Sequence, residues 1–385
     1  MYKKNYQKRT AEEYKADKKA EQDEMFAKIA DDVLEELKKG KHVWQMPWLQ
    51  NPENGVPENG VSKHQYDGNN FWLCLFKQYE FKKRQMAGEN IPNPSGKWYT
   101  FAQIKEMNIK RMEAAVDGEK PEFIHVRKGE HGTTLIAFVP IKETEEQKKK
   151  REEEGKKRRQ DGYFKAFTAF NSCQIDGLPH EEVKEYSHAG EMTPEKEKEL
   201  ETFFANLSKN LGVPIRHKED NMLTEYEQVA DRAYYSRLTD TITIPPKERF
   251  RTLSEYYGTL FHEFAHSTGA EKRLGRLQKL DGKTSNEIMN ERAQEEIIAE
   301  FTSCYMSQYF KTAIDLSYKN NVGYMGAWKE RLQDNRDWLK EVLDSSSKAV
   351  KLMMDMGREK TKKEEKTVDL APEEKQQKKE VAKSM

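Results

Sequence analysis

The sequence of 385 residues predicts an α+β protein with two domains. Residues 25–178 combine an amphipathic helix with strand-like segments that are rich in aromatic side chains, and residues 196–356 show mainly helical periodicity. Residues 179–195 are polar and form the predicted linker between the two domains. The length is sufficient for two sizeable hydrophobic cores.

The N-terminal domain is preceded by residues 1–24, a charged arm that is poor in apolar side chains and is predicted to be frayed or helical. Apolar side chains then recur at helical spacing from Met25 to Leu37, and Gly40 ends this predicted helix. A compact aromatic region follows, with loop-forming glycine and proline among its rings, which are Trp44, Trp48, Tyr66, Phe71, Trp72, Trp98, Tyr99 and Phe101.

Strand-like segments complete the N-terminal domain. Residues 123–127 and 133–139 are extended segments joined by a basic turn, and residues 163–175 resume the same pattern. Residues 142–161 interrupt them with blocks of both charges, which is typical of a solvated loop or a helical hairpin inserted into the domain.

Helices dominate the second domain. A helix is predicted over 195–211, then a hairpin that ends at 240–246, two helices that carry the candidate site, and a last helix over 328–356. Residues 357–385 are rich in Lys and Glu with few apolar side chains, so they are predicted to be a disordered tail.

The central helix of the second domain contains the motif H-E-x-x-H. Thr252 and Glu255 form a T-x-x-E capping box at the predicted start, and Gly269 lies where a C′ glycine ends a helix. Residues four apart lie on the same face of a helix, so His262 and His266 can bind one metal ion.

Glu263 lies beside these two imidazoles in the sequence. A zinc hydrolase uses this arrangement, with two nitrogen ligands and a Glu that takes a proton from the water on the metal. The alternative is a pair of core histidines that are satisfied by hydrogen bonds. A third ligand is needed to decide between the two.

A second helix supplies candidates for that ligand. It follows a T-x-x-E box at Thr284, and its predicted apolar arc comprises Met289, Ala293, Ile297, Phe301 and Cys304. Glu300 falls inside the arc and Glu296 at its edge, while Glu295 points to the opposite, solvated side. Because a buried carboxylate is costly unless it is paired or bound to a metal, Glu296 is the predicted third ligand, and Glu300 is predicted to orient a histidine or another ligand. The alternative is that all three merely solvate an exposed helix.

The composition narrows the class of protein. Charged and apolar residues each make up 35%, and the net charge is zero, so any surface for nucleic acid must be local. Three scattered cysteines form no pairing motif, which favours a reducing compartment without structural disulfides. The sequence shows no signal peptide and no long apolar run, so the predicted location is the cytoplasm, with no membrane partner.

Aromatic residues near basic turns in the N-terminal domain indicate a surface for single-stranded nucleic acid. Each base that stacks on an aromatic ring contributes roughly 1–3 kcal/mol to binding, and cationic side chains contact the phosphates. The candidate residues are Trp44, Trp48, Tyr66, Asn70, Lys97, Trp98, Arg127 and Lys128. The alternative is that these rings belong to the core.

The succession of motifs resembles that of the ArdC-type antirestriction proteins, which plasmids and other mobile elements carry. The resemblance covers about residues 22–355. Its motifs are W-x-x-P-W at 44–48, Y-x-G-x-N at 66–70, W-x-T at 98–100, R-K-G-E at 127–130, F-N-x-x-Q-I at 170–175, the segment 240–245, the H-E-x-x-H segment to Gly269, R-L-x-R at 273–276 and the acidic segment 295–300. Each motif alone is weak, but their order is specific.

The resemblance implies a single-stranded-DNA-binding domain, shared with plasmid primases of the TraC type, followed by a zincin-like metallopeptidase domain. It implies one Zn²⁺ per chain, held by His262, His266 and Glu296, with Glu263 as the general base. It also implies single-stranded DNA as a partner and a host restriction or defence protein as the substrate or docking target. The chain departs from the family at Asp67, which is usually basic, and at Ser267, which is usually aromatic.

Three functions of different class follow from the sequence. The first is a DNA-tethered zinc peptidase. The second is a DNA-binding antirestriction or replication accessory protein whose zincin domain binds metal without a required catalytic role. The third is a structural or partner-binding module with satisfied core histidines.

Overall fold

The computed structural model describes residues 11–41, 45, 55–115, 121–140, 144–153, 162–179, 192–218, 233–277, 283–313 and 322–358. It confirms the predicted α+β class, with a mixed N-terminal domain and a mainly helical second domain. The first ten residues of the predicted arm, most of the predicted linker and nearly all of the predicted tail lie outside the described residues. None of the helices in the described ranges is long and apolar enough to cross a membrane.

The N-terminal domain packs helices against a four-stranded sheet. Its helices are α1 (Ala11–Lys38), α2 (Gly68–Met86), α3 (Phe101–Ala114) and α4 (Glu145–Glu153). Its strands are β1 (Glu58–Asn59), β2 (Lys97–Thr100), β3 (His125–Val126), β4 (Thr133–Pro140), β5 (Gly162–Asn171) and β6 (Ile175–Asp176). The larger sheet has the order β1-β2-β5-β4, with β1 parallel to β2 and the other pairs antiparallel, while β3 and β6 form a separate antiparallel pair. Helix α4 lies in the predicted charged insertion.

Two helices of this domain differ from the sequence-based prediction. The helix that was predicted from Met25 begins at Ala11, so the described part of the arm is helical, and its Gln22 amide donates to the backbone oxygen of Thr134 at 3.2 Å. Helix α2 was not predicted. Its residues 71–76 are all buried, so the segment lacks the alternation of apolar and polar faces that marks a helix at a surface.

The second domain surrounds one central helix. Its elements are α5 (Pro194–Leu211), β7 (Ile215–His217), β8 (Tyr234–Ser236), β9 (Thr241–Ile244), α6 (Leu253–Thr268), α7 (Ser285–Tyr309), α8 (Val322–Asp334) and α9 (Asp337–Gly357). Strands β8 and β9 form the predicted hairpin, and β7 adds to β9 in parallel. The single helix that was predicted over 328–356 is two helices, because the Asn335 side chain accepts from the backbone N–H of Asp337 at 3.0 Å and starts a new helix there.

The two domains share one hydrophobic core. Phe71 of α2 packs against Tyr305 of α7 with tilted rings whose centroids are 3.7 Å apart, and Trp72 meets Phe301 edge-on at 5.3 Å. The indole N–H of Trp72 also donates to the hydroxyl of Ser347 in α9 at 3.3 Å. The N-terminal domain therefore packs directly on the helix that carries the predicted third metal ligand.

Candidate metal centre

Helix α6 forms where the capping signals placed it. The Thr252 hydroxyl accepts from the backbone N–H of Glu255 at 3.0 Å, and nearly every residue of the helix is buried. Helix α7 begins in the same way at Thr284, whose hydroxyl accepts from the N–H of Glu287 at 3.3 Å. The two helices pack side by side, so side chains on their facing sides can meet.

Gly269 ends α6 as predicted, but its conformation differs from that of a C′ glycine. Its φ is −75°, which any residue can adopt. A β-carbon at this position would lie 2.9 Å from the Leu277 side chain, 3.1 Å from Oε1 of Glu295 and 3.2 Å from Nη2 of Arg276. Glycine is therefore required here for space rather than for backbone freedom.

Three predicted ligands converge between α6 and α7. Nε2 of His262 and Nε2 of His266 are 3.1 Å apart. Oε2 of Glu296 lies 3.4 Å from Nε2 of His262, and Oε1 of Glu296 lies 3.7 Å from Nε2 of His266. Donors around a tetrahedral zinc ion at about 2.0–2.1 Å are separated by about 3.4 Å, so this triangle fits a divalent cation. Among the His, Cys, Asp and Glu side chains of the described residues, these three are the ones close enough together to share a metal ion.

The charges of the site also suit a cation. Burial disfavours a charged His266, but the carboxylates of Glu296 and Glu295 outweigh this effect and raise the pKa of His266 to about 10. Burial would raise the pKa of Glu296, yet His266 and His262 hold it well below its usual range. The Glu296 carboxylate, which stabilises a protonated His266, would equally stabilise a divalent ion bound to a neutral His266.

Two further predicted residues neighbour the ligands along α6 and α7. Glu263 follows His262 on α6 and is 1% exposed, and its charge contributes to the raised pKa of His266. Glu300 lies one turn beyond Glu296 on α7 and is also 1% exposed. Both carboxylates are buried, and their roles as general base and orienting group stay predictions.

The predicted position of Glu295 is wrong. The prediction placed it on a solvated face, but it is 9% exposed and lies on the other side of His266 from Glu296. Its Oε1 is 3.5 Å from Nδ1 of His266 and 2.8 Å from Nη2 of Arg276. The error arises because the second half of α7 is buried on all sides, whereas Met289, predicted to lie in the apolar arc, is 48% exposed.

The R-L-x-R motif supplies two arginines that hold the end of α6. Arg273 pairs with Asp240 and donates from Nε to the backbone oxygen of Ser267 at 2.6 Å. Arg276 donates to the backbone oxygen of Ala265 at 3.0 Å and to Glu295. The sequence alone did not indicate these partners, because each belongs to another element of the fold.

The structure corrects several predicted DNA contacts. Trp98 is completely buried and packs against Phe81, and Tyr66 is 5% exposed. A buried ring cannot stack on a base, so the predicted stacking role is wrong for these two residues. Trp44 and Trp48 lie outside the described residues.

Two polar candidates also serve the fold. The Asn70 amide exchanges hydrogen bonds with the backbone of Ile136, donating at 2.6 Å and accepting at 2.9 Å. Arg127 donates to the backbone oxygens of Cys173 and Asn90 and pairs with Asp176. These side chains are engaged within the domain, which argues against the predicted contact with DNA.

Other residues of the same domain remain accessible. Lys128 is exposed in the basic turn, and Lys97 is half-buried at the start of β2. Phe101 is 66% exposed and Phe123 47% exposed, and neither was predicted as a site residue. An exposed ring cannot be told from a core ring by sequence when both occur in an aromatic-rich segment.

Two family models match the chain. Residues 23–170 match the N-terminal domain of anti-restriction factor ArdC, and residues 218–343 match a zincin-like metallopeptidase domain. Curated relatives include the DNA primase TraC of Escherichia coli, which is 28% identical over 80% of this chain and 25% of the primase. The uncharacterized protein y4eC of Sinorhizobium fredii is 22% identical over 85% of this chain and 89% of that protein. The chain spans about a quarter of the length of the primase.

Solved structures show the same fold. The metal-free crystal structure of the antirestriction ArdC protein from plasmid R388 matches with a TM-score of 0.54 and 25% identity, over 86% of this chain and 97% of that chain. The Mn(II)-bound structure of that protein matches with a TM-score of 0.54 and 24% identity, over 87% and 99%. The chain therefore resembles the antirestriction ArdC protein over most of its length, and it joins a domain that matches the ArdC N-terminal model to one that matches a zincin-like model.

Proposed function

We propose that this chain is a zinc-dependent peptidase of a mobile genetic element that binds single-stranded DNA with its N-terminal domain. The observation that carries the catalytic part is the convergence of His262, His266 and Glu296, with Glu263 beside them. The Mn(II)-bound structure of the plasmid R388 protein supports a divalent metal in this fold. We expect zinc, one ion per chain, because two imidazoles and one carboxylate are a common ligand set of catalytic zinc.

The residues around the ligands have distinct tasks in this proposal. A divalent ion held by the three ligands would activate a water and polarise a peptide carbonyl. Glu263 accepts the proton of the attacking water and returns it to the leaving amine. Glu300, buried one turn beyond Glu296, orients the groups that surround the ligands.

The DNA partner is proposed for the N-terminal domain. The name of the TraC primase relatives and the match to the ArdC N-terminal domain support it. Exposed rings at Phe101 and Phe123 and the exposed cation at Lys128 are described groups of this domain that suit base stacking and phosphate contact. We propose that the protein acts in the cytoplasm, on DNA that enters a cell, and that a host restriction or defence protein is its substrate or docking target.

One observation favours a second candidate function. Glu263 is 1% and His262 0% exposed, so the centre is poorly accessible for a large peptide. In the second candidate the zincin-like domain binds metal but cuts nothing that antirestriction requires. The antirestriction effect then depends on DNA binding and on the fold.

The variant Glu263→Ala separates the two candidates. It removes the proposed general base and leaves all three ligands in place, so metal content should remain at one ion per chain. If the peptidase proposal is correct, this variant loses antirestriction in a conjugation assay with a restricting recipient. Full antirestriction by a metal-loaded Glu263→Ala protein would reject the peptidase and support the second candidate.

The DNA part is tested by titration of labelled oligonucleotides. Single-stranded DNA should bind more tightly than duplex, and the affinity should fall as the salt concentration rises, because bound phosphates release counterions. Equal affinity for both forms of DNA would exclude the stacking surface.

A further inference from the structure

We propose that Glu295, held in place by Arg276, is a positioning residue that orients His266 toward the metal. This inference rests on the metal site of the proposed function. It also assigns a role to a residue that the sequence pattern placed in solvent.

The first observation is the environment of the His266 ring. Its Nε2 faces the other ligands, at 3.1 Å from His262 and 3.7 Å from Glu296. Its Nδ1 faces Oε1 of Glu295 at 3.5 Å. A proton on Nδ1 that is donated to Glu295 leaves Nε2 with a lone pair for the metal, and this contact also fixes the rotation of the ring.

The second observation is that Glu295 cannot turn away. The guanidinium of Arg276 donates to both of its oxygens, from Nη2 at 2.8 Å and from Nε at 3.2 Å. Arg276 also donates to the backbone oxygen of Ala265 and to the hydroxyl of Thr268, each at 3.0 Å. One arginine therefore ties the last turn of α6, which carries His266, to the turn of α7 that carries Glu296.

The third observation is the space that this pair occupies. A β-carbon at position 269 would press on Oε1 of Glu295 and on Nη2 of Arg276, so the glycine of the motif makes room for the pair. The side chains of Glu295 and Arg276 are only 11% and 13% exposed. A buried ion pair gains little net stability after desolvation, so the main contribution of this pair is a fixed geometry beside the ligand.

Zinc affinity of purified full-length protein tests the inference. Glu295→Ala should raise the Kd for zinc by about 10–100-fold, as measured by competition with a chromophoric chelator. Glu295→Gln should raise it less, because an amide oxygen can still accept from Nδ1. Arg276→Ala should raise the Kd as Glu295→Ala does, because Glu295 is then free to rotate.

Two control variants isolate positioning from general destabilisation. Arg273→Ala removes the other arginine of the same motif, which pairs with Asp240 and has no hydrogen bond to Glu295. Glu291→Ala removes a carboxylate one turn earlier on α7, where it pairs with Lys283. Both controls should retain the zinc affinity of the wild-type protein, even where unfolding shows a lower stability.

A spectroscopic measurement distinguishes a positioning role from a merely structural one. In the zinc-loaded protein with labelled histidine, long-range ¹⁵N–¹H correlation should show His266 protonated at Nδ1, and Glu295→Ala should shift that signal while Arg273→Ala does not. Wild-type zinc affinity in a folded Glu295→Ala protein would overturn the inference alone. Absence of zinc binding by the wild-type chain would overturn the metal site of the proposed function as well.

Discussion

The pair of helices at the metal centre and the N-terminal domain bury their most distinctive side chains for opposite energetic reasons. His262 and Glu263 are ionisable groups whose burial costs several kcal/mol unless they are paired or bound to a cation. Trp98 and Tyr66 are rings whose burial itself stabilises the fold, by about 1.5–3 kcal/mol for a large apolar side chain. A buried ionisable group therefore needs a partner or a bound ion, whereas a buried ring needs only the core around it.

Removal of the two histidine ligands has the largest expected effect, which is on the metal content of the protein. The double variant His262→Ala/His266→Ala should contain no stoichiometric metal by elemental analysis, against one ion per chain in the wild-type protein, because two of three donors are lost. A chelator should lower the melting temperature of the wild-type protein and leave that of the variant unchanged. The double variant His64→Ala/His125→Ala, which removes two exposed histidines, is the control and should retain the metal.

The next largest effect concerns the rings of the N-terminal domain. Trp98→Ala should destabilise the protein by about 3–5 kcal/mol in urea denaturation, because the side chain fills a closed core. Phe101→Ala should change stability by no more than about 0.5 kcal/mol.

The same two variants separate stacking from packing when DNA is titrated. Phe101→Ala should weaken single-stranded DNA binding by roughly 1–3 kcal/mol if the exposed ring stacks on a base. A folded Trp98→Ala protein with weakened DNA binding and a fully active Phe101→Ala protein would reverse the assignment.

A moderate effect is expected at the ion pair behind the metal helix. Burial opposes ionisation of Asp240, but Arg273 and Lys272 hold its pKa well below the ordinary value. Its contribution is therefore present above the unfolded-state pKa of about 3.9 and is lost as the pH falls toward the lowered folded-state pKa. Asp240→Asn should lower the free energy of unfolding by roughly 1.5–3 kcal/mol at pH 7. It should also flatten the decline of stability between about pH 5 and about pH 2, the range in which the Asp240 carboxylate becomes protonated in the wild-type protein.

Asparagine is the suitable replacement because Asp240 has a φ of +50°, which Asn tolerates better than most residues. The unfolding free energy from urea titrations at several pH values is the measurement. Asp334→Asn, at an exposed position of α8, serves as the control. An unchanged acid limb in Asp240→Asn would show that this pair does not govern the pH dependence.

The smallest effect is expected at the basic turn. Lys128→Ala should leave stability unchanged and reduce the slope of log Kd against log salt by about 1, as for the loss of one phosphate contact. Lys209→Ala, which removes an exposed lysine of α5 in the other domain, should leave the slope unchanged. Identical slopes for the two variants and the wild-type protein would place the DNA elsewhere on the surface.

Local signals explain which elements could be predicted. Helices α6 and α7 were located because Thr252 and Thr284 cap them and because these caps need only neighbouring residues. Helix α2 was missed because burial on all sides removes the periodicity that prediction uses. Glu295 was misplaced for the same reason, since a helical wheel assumes one solvated face and the second half of α7 has none.

Long-range contacts explain what could not be predicted. The amide of Asn70 pairs with Ile136, which is 66 residues away, and no local pattern distinguishes such a structural amide from one that binds a ligand. Arg276 and Glu295 likewise come from a loop and a helix that meet only in the folded chain. Residue type and spacing therefore indicate the ligands themselves, but not the groups that support them.

The aromatic contacts that join α2 to α7 limit how this protein can be dissected. A fragment that ends before α5 would expose Phe71 and Trp72 to water, and a fragment that begins there would expose Phe301 and Tyr305. Each fragment would then expose an apolar aromatic patch that promotes aggregation. Experiments that assign DNA handling and metal chemistry to separate regions should therefore use point variants of the intact chain rather than truncations.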